Sequence, residues 1–312
     1  MHVFFVRCII AIVIKKKKAL FIGISDFAAA FDSISRRRLF QKLVYLGIGG
    51  IMLNALKEMY KNAGVYIEGS GEFSYEFELT AGVLQGSATS TILFIAYTAD
   101  LINLFQRLFS EEDIIGMYHI LVHADDAIIL ATKKSILKEK FLALEDYCEE
   151  NKISLQAKKC SFIFECSKET IYLGSLISNH GNINYDVKLE VKSKEKAFNK
   201  YFSFLHKNYN APLQVKLKVL QACLFSSVLY NCETWGNVNT ISLEKQYKQI
   251  LKYILGIRNQ CSNEFPYIEL NLPTLKSIIQ TKQHKFYNNI LIHRDWPLLR
   301  YIVNQGRTSN CN

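Results

Sequence analysis

The sequence has little of what interrupts or staples a chain. Its 312 residues contain 4 prolines and 15 glycines, and no low-complexity tract long enough for a disordered or collagen-like segment. The eight cysteines, at positions 8, 148, 160, 166, 223, 232, 261 and 311, include no C-x-x-C and no pair at zinc-finger spacing. That argues against a zinc module. Most lie in apolar or helical context and read as free, buried thiols of a reducing compartment. No segment approaches the roughly 20 uninterrupted apolar residues of a membrane span. The nearest, "MHVFFVRCIIAIVI", is shorter and is broken by Arg7, so it is read as a core helix or strand and a soluble protein is expected. His119 and His123 are four apart in a segment read as strand, where four residues span about 13 Å, so they do not suggest a metal pair.

What the chain has is apolar mass and a lopsided charge. It is 49% hydrophobic, enough for a sizeable core, and its net charge is +10. Residues 181–312 hold 18 Lys and Arg against 8 Asp and Glu, whereas the first 180 hold 20 of each. A basic segment joined to a neutral body fits a polyanionic partner, either nucleic acid or an anionic membrane surface, and equally a solvated lysine-rich helix face.

The patterning predicts a strand at 19–25 ending at Asp26, then an amphipathic helix over 35–48 with Ser35 as N-cap. A second helix is predicted over 51–63, two alternating strands flank a Gly-Ser-Gly turn, and a Gly-containing loop leads into a long helix within 80–108. Strand, turn and strand follow in "ILVHADDAIIL" (120–130), then a charged helix over 136–153 and strands in "CSFIFE" and "TIYLGSLIS". Beyond residue 186 or so the pattern is helical. Strands and helices alternate first and helices then run alone, which implies an α+β body followed by a basic helical domain.

The chemistry would sit where acidic residues meet strand ends. Asp125 and Asp126 interrupt an apolar run, and unpaired charge buried in a strand is costly. If the strand ending at Asp26 lies antiparallel beside this one, three carboxylates converge at one edge and repel. Hard oxygen ligands with open positions for water and phosphate suit Mg²⁺, and two such ions are a common device for in-line phosphoryl transfer. Taken alone, "DFAAAFD" also reads as a helix start capped by Asp, and "ADDA" as a polar hairpin turn.

The ordered set "DFAAAFDSISRRRLFQKLVYLGI", "GVLQGSATSTILF", "HADDAIIL", "SLQAKKCSFIF" and "YLGSLIS" resembles the reverse transcriptase of non-LTR (LINE-type) retrotransposons. "VLYNCETWG" and "ILKYILGI" resemble that family's thumb and the region after it. The resemblance implies an α+β polymerase palm, an antiparallel sheet packed on helices with partial fingers, followed by a helical thumb. Its expected divisions are a fingers remnant over 1–25, a palm over 26–180, a basic thumb over 181–255 and a C-terminal helical extension over 256–312.

The implied activity is RNA-directed DNA polymerisation by two Mg²⁺ ions, replaceable by Mn²⁺, with an RNA template, a DNA primer and deoxynucleoside triphosphates as partners. Asp26 and Asp125 would be the principal catalytic metal ligands, Asp126 a supporting one, and the Phe27 carbonyl a further oxygen. Phe31 would be the aromatic gate against a ribose 2′-hydroxyl, with simple core packing as the competing reading. Gln85 and Gly86, with Ser87 adding a hydroxyl, would lie against the nucleotide and template. Lys159 of the Lys158–Lys159 pair would meet the leaving pyrophosphate, or the pair is merely a surface one. His123, Tyr172, Leu173 and Gly174 would touch the primer. Lys192 and Lys196, within the group Lys188, Lys192, Lys194, Lys196 and Lys200, would track phosphates.

The implied setting is an intracellular element ribonucleoprotein, nuclear or cytoplasmic and not secreted. Departures are His123, where the family usually has an aromatic or small residue, Gln156 and Cys160 flanking the lysine pair, and only some 25 residues before Asp26. These raise the alternative of a truncated, catalytically dead element fragment that at most binds nucleic acid.

Overall fold

The computed structural model describes residues 2–61, 63–69, 71–110, 118–156, 161–163, 169–178 and 183–292. The chain forms two compact units: one of residues 12–167 together with His2, the other of residues 3–11 and 168–312.

The first unit is built on an antiparallel sheet. Strand β1 (Phe21–Ala28) is followed by α2 (Arg36–Tyr45), α3 (Gly50–Tyr60) and a nested β-ribbon; the label α1 belongs to His2–Lys15. In the ribbon β2 (Gly64–Val65) pairs with β5 (Phe77–Glu78), and β3 (Glu68–Gly69) with β4 (Glu72–Phe73). Then come α4 (Ser90–Leu108), β6 (Ile120–His123), β7 (Asp126–Ala131), α5 (Lys134–Asn151), β8 (Ser154–Leu155) and β9 (Ser161–Ile163). The sheet order is β6-β7-β1-β8, with β9 also paired to β1.

Because β7 is central, Ala127 through Ala131 are all fully buried. That explains why this run is uniformly apolar rather than alternating. α4 and α5 carry Phe94, Tyr97, Leu101, Phe105, Leu137 and Leu144 into the same core. Each fully buried large aliphatic or aromatic side chain contributes about 1.5–3 kcal/mol.

The predicted strand at 19–25 differs at its end. β1 continues through Asp26 to Ala28, because Phe27 and Ala28 pair with Leu155 and Ser154 of β8. Asp26 is thus flanked by strands on both sides instead of closing one.

In the second unit, hairpin β10 (Glu169–Tyr172) and β11 (Ser175–Ser178) precedes α6 (Ile183–Lys207) and α7 (Leu213–Val219). α7 runs on as a π-helical turn over Leu220–Phe225 and a last turn at Ser226–Val228. α8 (Ile241–Leu255), α9 (Phe265–Glu269) and α10 (Leu275–Ile292) complete it. Its core holds Val187, Phe198, Leu224, Trp235, Tyr247 and Ile250.

α1 shows why the opening apolar run tolerates an arginine. Val3, Val6, Ile9, Ile10 and Val13 are buried at helical spacing, and Phe4 packs edge-on against Phe286 of α10 at 5.3 Å. Arg7 lies on the buried face. Its guanidinium donates to Glu190 Oε2 and to Thr234 Oγ1, each at 2.7 Å, while Trp235 Nε1 donates to Glu190 Oε1 at 3.0 Å. Among the described residues no helix is long and apolar enough to cross a membrane.

The thiols divide. Cys148 and Cys232 are buried and Cys8 is half-buried, but Cys223 and Cys261 are exposed. The expectation of buried cysteines therefore fails for the last two, which sit on solvent-facing positions of the helical unit.

Candidate active site

The register of the sheet sets the acidic residues. Asp26 of β1 stands directly opposite Asp126 of β7, and Asp126 in turn opposes His123 of β6. The Phe27 amide donates to the Asp125 carbonyl at 3.0 Å. That bond makes Phe27 and Asp125 the hydrogen-bonded pair, so Asp26 and Asp126 form the neighbouring non-bonded pair. Side chains in such a pair share one face and approach most closely, with Cα atoms about 4.5 Å apart. The Asp26 carbonyl accepts from the Gln156 amide at 2.8 Å, which ties the same point to the chain after β8.

The β6–β7 connection is a two-residue turn, Ala124–Asp125, with Ala124 at φ 51° and Asp125 outside the left-handed region. This is the φ pattern of a type II′ turn, whose twist matches the flanking strands. Asp26 is 7% exposed, and Asp125 and Asp126 are half-buried.

Two carboxylates face each other across β1 and β7 and a third lies in the adjoining turn, yet no group of three metal-ligating side chains closes a cage among the described residues. The donor set nonetheless fits Mg²⁺, which is commonly held by one or two carboxylates and keeps its remaining positions for water and phosphate.

The loop after β1 and the loop before α4 are fastened together. Gly82 N donates to Ile34 O and Val83 N to Phe31 O, both at 2.8 Å. Arg36 donates to Gly82 O at 2.9 Å, to Tyr60 O at 3.0 Å and to Leu79 O. Gly82 has φ +81°, and a Cβ there would lie 2.9 Å from both Cα and carbonyl O of Asp32, so only glycine fits this close approach. At Gly86, φ is +83° and nothing lies within 4 Å of an added Cβ. Glycine there answers the backbone conformation, not crowding within the chain.

Gln85 Nε2 donates to both carboxylate oxygens of Asp32, at 2.8 and 2.9 Å. The Ser87 hydroxyl pairs with Thr89 Oγ1 at 2.9 Å. Phe31 is half-buried, its ring 5.6 Å from that of Phe94, while the neighbouring Phe27 ring is buried against Phe94 at 5.7 Å. Lys158 and Lys159 lie outside the described residues. His123 is exposed, with the His2 ring 4.7 Å away. Burial, then the nearby His123, lowers the His2 pKa to about 4.

The helical unit holds the other expected contacts. Leu173 and Gly174, at φ 46° and 69°, turn β10 into β11, with φ positive at both positions as a type I′ turn requires. Asn231, itself at φ 58°, reaches this turn and donates from Nδ2 to Leu173 O at 3.2 Å and to Ser175 Oγ at 2.9 Å. Tyr172 is 1% exposed, so its ring serves the core. Lys188, Lys192, Lys196 and Lys200 are all exposed on α6, and their i, i+4 spacing makes one row. Lys194 lies off that row with its ammonium 5.4 Å from the Tyr230 ring centroid, and burial lowers its pKa.

The family described as reverse transcriptase (RNA-dependent DNA polymerase) matches residues 6–177, more than half of the chain. The chain belongs to the reverse transcriptase family. Solved telomerase structures are similar to it. Apo telomerase from Candida tropicalis, truncated from the C-terminal domain, has 15% identity and a TM-score of 0.45, over 56% of this chain and 37% of that one. Telomerase from Candida albicans, in complex with the TWJ fragment of telomeric RNA, also has 15% identity and a TM-score of 0.45, over 82% of this chain and 46% of that one. The chain thus spans less than half the length of those two telomerase chains. No curated protein sequence matches it.

Within this reverse transcriptase chain, sequence reasoning missed Asp32, Arg36 and Gly82, which fasten the two loops of the sheet unit, and Asn231, which holds the β10–β11 turn of the helical unit. Gly82 carried a signal, since it begins the "GVLQG" loop. Arg36 sits among three arginines on one helix start, and nothing in the sequence distinguishes it from its neighbours. Asp32 and Asn231 act through partners 53 and 58 residues away, which local pattern does not encode.

Proposed function

We propose that this chain is the RNA-directed DNA polymerase region of a non-LTR retrotransposon, with residues 26–180 as palm and the basic helices over 181–255 as thumb. The observation that carries the reading is Asp26 facing Asp126 across β1 and β7, beside the Asp125 turn, in a chain of the reverse transcriptase family.

Asp26, Asp125 and Asp126 would hold two divalent ions, with the Phe27 carbonyl as a further oxygen donor. Mg²⁺ bound there would activate the primer hydroxyl and offset charge on the nucleotide phosphates. Gln85 and the Gly86 backbone would meet the incoming nucleotide and Phe31 would restrict the ribose position. Lys159 would lie at the pyrophosphate, and His123 and the Tyr172–Gly174 hairpin at the primer. The lysine row of α6, Lys192 and Lys196 in particular, would follow phosphates without reading sequence.

The test is Mg²⁺-dependent extension of a DNA primer on an RNA template by the purified chain. Wild type extends, and Asp26→Asn, Asp125→Ala and Asp126→Asn each abolish extension while leaving template binding intact. A second reading, nucleic-acid binding without catalysis, is favoured by the exposed lysine row. Equal template binding by wild type and variants with extension by none would leave that reading alone.

A further inference from the structure

We propose that Asp32 is a positioning residue that fixes the direction of the Gln85 side-chain amide, so that Gln85 offers the nucleotide an acceptor oxygen rather than a donor. The inference rests on the reading of Gln85 as a nucleotide contact.

The argument begins with the donor inventory. A glutamine amide carries one oxygen acceptor and one NH₂ donor of nearly equal shape, and its network decides which faces where. A carboxylate only accepts. With Gln85 Nε2 at 2.8 and 2.9 Å from the two Asp32 oxygens, the amino group is committed to Asp32. Among the described residues nothing engages Gln85 Oε1, which is left as an open acceptor for a hydrogen-bond donor.

Preorganisation comes from beneath. Both side chains are exposed, and an exposed bond between two free side chains would contribute little. Here the backbones are clamped first, by Val83 N to Phe31 O and Gly82 N to Ile34 O and by the Arg36 contacts. Those bonds hold the loops whether or not Asp32 meets Gln85. Loop attachment therefore does not require the side-chain pair, and the distinctive effect of the pair is amide direction.

A polarity swap tests this in the full chain. Asp32→Asn lets either amide turn over, and Gln85→Glu sets two carboxylates against each other. The double variant Asp32→Asn/Gln85→Glu has the wild-type net charge and restores one amide–carboxylate contact with its direction reversed. It still leaves an acceptor oxygen at position 85. KM for the nucleotide, kcat and the thermal midpoint are read by primer extension and melting. In parallel, a fluorescent deoxynucleoside triphosphate is titrated with Ca²⁺ onto the protein–template–primer complex.

Asp32→Asn, by freeing the amide to turn over, and Gln85→Glu, by repulsion that drives the carboxylate from its place beside Asp32, are each expected to raise KM and the nucleotide dissociation constant about five- to tenfold, the factor of one well-placed hydrogen bond. kcat and the midpoint should stay within about twofold and about 2 °C of wild type, and the double variant should recover both binding values. A double variant as impaired as the singles, singles indistinguishable from wild type, or losses seen in kcat and midpoint but not in KM would overturn the proposal. A wild type that neither extends primers nor binds the nucleotide would overturn the reading of the site, and this inference with it. Extension by wild type without recovery in the swap would overturn the inference alone.

Discussion

Replacing Arg7 by methionine should destabilise the helical unit. The Arg7 and Glu190 side chains are 6% and 2% exposed, and their closest atoms are 2.7 Å apart. Methionine keeps the apolar stem of the arginine but leaves Glu190 as a buried charge to which, among the described residues, only the Trp235 indole side chain donates. Removing one partner of a buried pair costs about 3–5 kcal/mol, most of it the desolvation of the charge left behind. For a folding unit of this size each kcal/mol moves the midpoint by about 2–4 °C, so a fall of about 6–20 °C is expected. Trp235 lies against the pair, and its fluorescence in a Trp296→Phe background follows this unit through a melt.

The double variant Arg7→Met/Glu190→Gln keeps an acceptor for Trp235 and removes both charges. It should return to within about 2 kcal/mol of wild type, because an intact buried pair and a neutral replacement differ little. An Arg7→Met protein within about 1 kcal/mol of wild type would refute the reasoning. So would a double variant no more stable than the single.

Other consequences are as direct. Gly82→Ala should destabilise the sheet unit by about 1–3 kcal/mol, since both the positive φ and the Asp32 backbone oppose a Cβ; urea unfolding measures it. Lys192→Gln and Lys196→Gln should each weaken RNA binding regardless of sequence and reduce the slope of log K against log salt by about 0.7–0.9. Burial pushes the Cys148 thiol up to about 12 and the Cys232 thiol up to about 11. Because the thiolate is the nucleophile, both should resist iodoacetamide at pH 8 in the native protein while Cys223 and Cys261 react, as read by mass spectrometry.

What the sequence disclosed and what it hid follow one physical division. The β6–β7 hairpin was legible because its apolar arms and polar turn are a local pattern, and the polar turn is held by apolar flanks buried at Ile120, Leu121 and Ala127 to Ala131. α2, α4 and α5 were legible from helical spacing of their buried leucines and aromatics. The passage of β1 beyond Asp26 was not, because it depends on β8, a partner more than a hundred residues later. Arg7 was legible only as an interruption, since the carboxylate that receives it lies 183 residues away. For the candidate site, the aspartates could be named from sequence, but their pairing could not. Whether Asp125 or Asp126 faces Asp26 turns on a two-residue turn with Ala124 at positive φ, and a register shift of one would exchange them.

The membership of residues 3–11 in the helical unit has a consequence for how the molecule is made. During synthesis this short helix leaves the ribosome long before Glu190 and Phe286, the residues that receive Arg7 and Phe4. The entire sheet unit is translated in between and can fold meanwhile. The sheet unit is in this sense an insertion within the helical one. The helix must wait, apolar face uncovered, while the sheet unit is translated, which makes it the natural client of a holding chaperone and a step prone to misassembly. Closing so long a loop is slow, and the return of α1 to the helical unit should come late in folding.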